Sequence, residues 1–289
     1  MDKITKRFKE LKERGEGGLI GFITAGDPSA DATVKIADAL ISGGVDFLEL
    51  GLPFSDPIAD GPTIQKGTER SLRAGMTPDL YFEVARDIEG VPKICLTYYN
   101  LVLRRGFRKF IEDCKRAGID GLIVADLPID EATPLLERCR AENFHLIFLA
   151  APTTSDERLR WIMRETSAFL YLVSLLGVTG EREKLSAYVK PLLRKIRALE
   201  QDIKKEVNVG VGFGISRPEH VSAVITAGAD AAIVGSAFVR LIEENVDNEE
   251  KMLEEIEKFA RALKEATRHR SQGYFGLTFT NFGGRKLMF

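Results

Sequence analysis

Residues 18–51 read GLIGFITAGDPSADATVKIADALISGGVDFLELG, and the fold follows from this stretch. It opens on one apolar run, GLIGFITAG (18–26), and closes on another, VDFLELG (45–51). Runs so continuously apolar suit parallel strands covered on both faces. Between them, SADATVKIADALISGG (29–44) repeats its apolar residues at helical spacing, with Val34, Ala37, Leu40 and Ile41 on one face. The stretch is one strand, one return helix and the next strand.

Six more runs follow: VPKICLTYY (91–99), DGLIVADLP (120–128), FHLIFLAAP (144–152), AFLYLVSLL (168–176), VNVGVGFG (207–214) and AAIVGSA (231–237). Their spacing averages about 30 residues, the length of a strand plus its helix. Eight such units predict an α/β chain closed as a (β/α)8 TIM barrel. The alternative is an open doubly wound sheet, but no GxGxxG fingerprint follows the first run. EATPLLERCRAEN (131–143) and RPEHVSAVITAGA (217–229) also read as return helices. Ser216 is the expected N-cap of the second, Pro218 sits in its first turn and Gly228 is its stop. An extra N-terminal helix, about 2–14, has Ile4, Phe8 and Leu11 on one face and is expected to plug the barrel bottom. A long final helix covers about 248–267.

Composition narrows the classes. An apolar fraction of 44% over 289 residues excludes wholesale disorder. With 41 basic against 43 acidic residues the net charge is −2, which argues against a dedicated nucleic-acid or anionic-membrane surface. Cys95, Cys114 and Cys139 show no metal or disulfide spacing, and His145, His220 and His269 are the only histidines. The N-terminus, MDKITKRFKELKERGE, lacks the apolar region of a signal peptide. No stretch approaches the roughly 20 apolar residues that span a bilayer. The expectation is a soluble, cytoplasmic protein with one barrel domain at 1–268. Residues 269–289 hold five aromatics and four Gly but no Asp or Glu. They read as a tail, either disordered or artificial, or as a peptide that folds onto this chain or a partner.

Chemistry in such a barrel sits at the carboxyl ends of the strands. The second run ends in ELGLPFSDPIADGP (49–62). Alternation puts Val45, Phe47 and Glu49 on one face and Leu48 and Leu50 on the other. Glu49 then points into the barrel mouth, where apolar walls raise a carboxyl pKa toward useful acid–base values. A structural salt bridge is the plainer role for it. Pro53, Pro57 and Pro62 stiffen the following loop, and Asp60 supplies a second carboxylate. Gly212-Phe213-Gly214-Ile215-Ser216 and Gly235-Ser236 end the last two runs, each before a helix. Close backbone and free N–H groups there suit a phosphate, although tight turns without a ligand would look the same. GVTGEREKLS (177–186) is a candidate lid. Thr24 to Pro28, Tyr98-Tyr99-Asn100 and Asp126-Leu127-Pro128 also lie at the mouth, and each reads as a turn. Lys93 falls early in its run, away from the mouth, which disfavours a Schiff-base mechanism. No cluster suggests a metal.

The segments FITAGDP (22–28), ELGLPFSDPIADGPTIQ (49–65), VADLP (124–128), GVTG (177–180), GFGIS (212–216) and VGSAFV (234–239) come in the order and spacing of a known family. Over about residues 1–268 the chain resembles the tryptophan synthase α subunits. The resemblance implies retro-aldol cleavage of indole-3-glycerol phosphate to indole and D-glyceraldehyde 3-phosphate. It assigns Glu49 as the main acid–base group and Asp60 as the acceptor for the indole N–H. Tyr171 would help place Glu49, and the indole pocket would be Phe22, Leu96, Leu122 and Tyr171. Phosphate would rest on Gly180, Phe213, Gly214, Gly235 and Ser236. Thr179 would bond Asp60 on lid closure, and Asp56 and Pro57 would couple the loop to the partner. That partner is a β subunit in an αββα complex, which carries pyridoxal phosphate; this chain would bind no cofactor and no metal. Leu175-Leu176 stand where many relatives have an Arg, so lid signalling differs in detail. Rivals are a ribose-phosphate isomerase, a silent barrel that activates a β subunit, and a free-standing indole-3-glycerol phosphate lyase.

Overall fold

In this computed structural model the described residues are 1–173, 182–212 and 214–268, with the backbone alone described over 182–188. Nine parallel strands form the sheet: β1 (Gly18–Thr24), β2 (Phe47–Gly51), β3 (Lys93–Thr97), β4 (Gly121–Val124), β5 (His145–Ile147), β6 (Leu149–Ala150), β7 (Phe169–Val173), β8 (Asn208–Gly212) and β9 (Ala231–Val234). Their order is β5-β4-β3-β2-β1-β9-β8-β7-β6. The two ends, β5 and β6, are successive in the chain, so the ring closes through Phe148. All eight apolar runs become staves of the barrel, and the fifth is interrupted at that residue. The Phe148 N–H leaves the ladder to donate to Thr166 Oγ1 at 3.1 Å, while its carbonyl accepts the Tyr171 N–H at 3.0 Å.

Among the described residues, α1 (Lys3–Glu13) precedes the first strand and eleven further α-helices surround the ring: α2 (Ala30–Ser42), α3 (Pro62–Arg73), α4 (Pro78–Asp87), α5 (Tyr99–Arg105), α6 (Phe107–Arg116), α7 (Thr133–Ala141), α8 (Asp156–Glu165), α9 (Arg182–Ile203), α10 (Pro218–Thr226), α11 (Ser236–Glu244) and α12 (Glu249–Glu265). The strands are largely apolar because each faces two cores. Ile20, Phe47, Ile94, Ile123, Ile147, Phe169 and Ile233 fill the inside of the ring. The alternate residues, such as Leu48, Leu50, Cys95 and Leu122, pack outward against the helices.

The N-terminal helix does plug the bottom. Asp2 caps α1 by accepting the Thr5 N–H at 2.8 Å. Ile4, Phe8 and Leu11 then enter the inner core, with the Phe8 ring 4.6 Å from that of Phe47. Lys93 opens β3 at this lower end, as its position in the run suggested. Its ammonium donates to the carbonyls of Ala85, Ile88 and Ala117, the last turns and exits of α4 and α6.

Three local expectations need correction. The buried face of α2 is Ala32, Thr33, Ile36, Ala37, Ala39 and Leu40, with Val34 and Ile41 at its margin. Phe47 and Glu49 do share the inner face, but Val45 precedes β2 and belongs to the outer core. Arg217, not Ser216, occupies the N-cap of α10, because its carbonyl accepts the first helical N–H, that of Val221, at 3.3 Å. Pro218 does open that helix, and Gly228 follows it at φ +109°. Among the described residues no helix is long and apolar enough to cross a membrane.

Candidate active site

Strand β2 sets the site. With Phe47 inward and Leu48 and Leu50 outward, Glu49 must project into the upper ring, level with Phe22 of β1 and Ile94 of β3. Glu49 is 1% exposed, and its Oε2 has no hydrogen-bond partner among the described residues. Among the described residues no cation is paired with it. Burial, and secondly the charge of Asp60, push its carboxyl up to about 8. The group is therefore protonated at neutral pH, a donor that becomes an acceptor once it has given its proton.

The loop after β2 brings Asp60 over this carboxyl. A turn places the Asp60 N–H on the Pro57 carbonyl at 3.0 Å. Gln65, one turn into α3, donates to the Asp60 carbonyl at 2.8 Å. The Tyr98 hydroxyl accepts the Ala59 N–H at 3.1 Å. Burial holds the Asp60 carboxyl above its ordinary range, and the neighbouring Tyr98 hydroxyl offsets only part of that rise.

Two rings wall the space. Phe22 and Tyr171 lie against strands whose glycines leave them room. A Cβ on Gly51 would stand 2.9 Å from the Phe22 ring, and one on Gly212 would stand 2.7 Å from the Tyr171 hydroxyl. Burial, then Glu49 and Asp60, hold the Tyr171 phenol well above its ordinary pKa, so it stays neutral. The cavity between them measures about 140 Å³ and is lined by Phe22, Glu49, Asp60, Leu96, Tyr171, Gly214, Gly235 and Ser236 among others. Its far side is the start of α11, where Gly235 is the N-cap and Ser236 the first helical residue. Gly214 sits there at φ +48°, a conformation that favours glycine. Helix-start N–H groups beside glycines make this end suited to an anion.

Most of the sequence-predicted residues meet here: Glu49, Asp60, Tyr171, Phe22, Leu96, Gly214, Gly235 and Ser236. Leu122 does not. Strand alternation turns it to the helix-facing core, and Ile123 is the β4 residue that faces inward. Asp56 is exposed and Pro57 half-buried, on the outer rim of the loop. Thr179, Gly180, Phe213, the Leu175-Leu176 departure, the tail 269–289 and the first part of the candidate lid lie outside the described residues. From Arg182 the backbone of that lid stretch is helical. Three contributors escaped the sequence reading. Ile64 and Ile233 line the cavity, and Tyr98 holds the loop. Ile233 was within reach, since it shares the inward parity of Ala231. Among the described residues no group of three or more His, Cys, Asp or Glu could hold a metal ion.

Fold and site together define a (β/α)8 barrel with two neighbouring carboxyls at its mouth, opposite an anion-suited end. A family model described as tryptophan synthase alpha chain matches residues 8–268. The tryptophan synthase alpha chain of Methanosarcina acetivorans is 51% identical over 263 residues, covering 91% of this chain and 93% of the relative. That of Methanocaldococcus jannaschii is 43% identical, over 89% and 90% of the two chains. Among solved structures, tryptophan synthase subunit alpha from Legionella pneumophila superposes with a TM-score of 0.82 at 32% identity, over 92% and 98% of the chains. A chain of the Pyrococcus furiosus tryptophan synthase a2b2 complex does so with 0.78 at 39% identity, over 86% and 98%. The chain belongs to the tryptophan synthase alpha chain family.

Proposed function

We propose that this chain is the α subunit of a tryptophan synthase. It is a carbon–carbon lyase of L-tryptophan biosynthesis, acting in the cytoplasm on indole-3-glycerol phosphate. The observation that carries this reading is Glu49: a buried carboxyl with an unpartnered oxygen in the cavity, protonated at neutral pH, beside Asp60. Protonated Glu49 gives its proton to the indole ring carbon that bears the glycerol chain. Positive charge appears on the ring nitrogen, whose N–H donates to ionised Asp60. Glu49, now a carboxylate, takes the proton of the adjacent glycerol hydroxyl. The carbon–carbon bond breaks, its electrons restore the indole ring, and the aldehyde of glyceraldehyde 3-phosphate forms. Glu49 ends neutral, as it began, so the proton count balances.

Phe22, Leu96 and Tyr171 would hold the indole, and Tyr171 would keep Glu49 in place. The phosphate would rest on the N–H groups of Gly214 and Gly235 and on Ser236, with Gly180 and Phe213 as the further expected donors. Thr179 would bond Asp60 when the lid closes. The barrel would be one domain over 1–268, with 269–289 an appended tail.

The partner would be a β subunit in an α2β2 complex, as in the Pyrococcus furiosus structure. Its docking rim would include Asp56 and Pro57, beside the exposed Ile58 of the same loop and Leu103 of α5. Pyridoxal phosphate would belong to that partner. Indole release by the purified chain tests the reading, with Glu49→Gln as control. Slow release that vanishes in the variant supports it, and release unchanged by the variant removes Glu49 from its role. No release, even with a β subunit present, favours a silent barrel that only activates its partner.

A further inference from the structure

Strand β2 carries Glu49, yet Oε2 of that side chain has no hydrogen bond of its own among the described residues. The backbone beneath it must therefore aim it. We propose that Tyr81 of α4 is a positioning residue for the proposed α reaction, fixing the mouth end of β2 from the helix side so that Glu49 stays over the cavity. Four observations carry this. The Tyr81 hydroxyl donates to the Leu50 carbonyl at 2.9 Å, and Leu50 is the residue next to Glu49. Tyr81 is fully buried, which shuts water out of that bond. Its ring meets Phe82 edge-on, centroids 5.3 Å apart, and Phe82 meets Phe110 of α6 in the same way at 5.5 Å. The next inward position on β2 after Glu49 is Gly51, which has no side chain to anchor the strand from within.

The end of β2 is thus held from three sides. On the β1 side the Gly51 carbonyl accepts the Ala25 N–H at 2.9 Å, and on the β3 side the Leu52 N–H donates to the Leu96 carbonyl at 2.9 Å. Both bonds lie in the plane of the sheet. A strand held only there can still tilt toward or away from the barrel axis, and that is the direction in which Glu49 reaches the cavity. Tyr81 supplies the tie out of that plane, from α4 to the strand. Thr77 caps α4 by accepting the Leu80 N–H at 3.3 Å, and Pro78 opens it, so the turn that bears Tyr81 is fixed as well. A carboxyl that gives and takes a proton within one reaction needs its reach kept to a fraction of an ångström.

The inference rests on the lyase reading, and Tyr81→Phe in the full chain tests it, with a β subunit present. The variant keeps the ring and its packing and loses only the hydroxyl. Lys93→Met, at the far end of the neighbouring strand, is the control for lost stability alone. Two readouts are taken: kcat and KM for indole release per folded molecule, and the titration of the Glu49 carboxyl followed by carbon-13 NMR. Among the described residues Asp60 and Tyr171 are the titratable groups that share the cavity with Glu49, and Tyr81→Phe leaves both in place. The expected result is a fall in kcat of about tenfold with KM within about twofold, since misplacing a reacting group by about 1 Å costs up to about a hundredfold. The Glu49 titration should move to lower pH, because a displaced β2 admits water to a carboxyl whose pKa burial has raised. Lys93→Met should show neither change. Wild-type kcat in folded Tyr81→Phe, an unmoved Glu49 titration, or the same changes in Lys93→Met would overturn the proposal. Should Glu49→Gln release indole at the wild-type rate, the lyase role of Glu49 fails instead, and the titration alone decides whether Tyr81 holds it.

Discussion

Arg70 of α3 closes two hydrogen bonds on the buried carboxylate of Asp27, at 2.8 and 2.9 Å. The pair joins the loop after β1 to the helix that begins just past Asp60. Glu243 of α11 extends it, 3.7 Å from Arg70 and 3.0 Å from Lys66. Gly67 lets the helix come this close, since a Cβ there would stand 2.7 Å from Asp27 Oδ2. Removing one member of a buried pair leaves a charge with no partner. Arg70→Met should therefore cost about 3 kcal/mol, seen as a lower urea midpoint with an unchanged slope. Asp27→Asn in that background should recover part of the loss. A midpoint equal to wild type would show that the pair is dispensable.

Glu49 makes stability depend on pH. Its folded-state pKa is about 8 against an ordinary 4.5, so the fold binds this proton more tightly than the unfolded chain does. The stability from the neutral form is complete below 4.5 and is lost as pH rises through 8. Gln does not ionise. The advantage of Glu49→Gln should grow across that window by up to about 1.4 kcal/mol for each pH unit. Thermal unfolding at pH near 5 and near 8 reads it, and parallel curves for the two proteins would exclude a strained, ionising Glu49.

Gly212 guards the Tyr171 hydroxyl. Gly212→Ala puts a methyl group 2.7 Å from that oxygen, so the phenol must shift from its place in the cavity wall. Overpacking of this kind costs about 1–3 kcal/mol. Indole release should fall further than stability alone would explain, because Glu49 sits beside the displaced ring. Activity retained at full rate would mean that the ring has room to move.

Lys93 is structural. Its ammonium is 4% exposed as a residue and serves three carbonyls at the ends of α4 and α6. Lys93→Met keeps the length of the side chain but leaves those acceptors bare. The expected cost is about 2–4 kcal/mol, measured by chemical denaturation, with kcat per folded molecule unchanged. A loss of kcat in the folded variant would instead place Lys93 in the chemistry.

The local patterns carried the barrel and half of its site. Eight apolar runs at helical intervals leave a chain few ways to cover both faces of every strand, and closure is one of them. The parity of a single strand was enough to aim Glu49 inward, because its neighbours Leu48 and Leu50 demand the helix side. The same rule, applied to β4, turns Leu122 outward and Ile123 inward. Tertiary structure decided what no period encodes. Ala59, Tyr98-Tyr99 and Asp126 come from three separate strand ends, and only the side-by-side pairing of β2, β3 and β4 brings them within hydrogen-bonding reach. Glu49 owes its raised pKa to water excluded by Phe22, Tyr171 and the loop above it. Burial is a property of the assembled walls, whereas direction along a strand is a property of the chain.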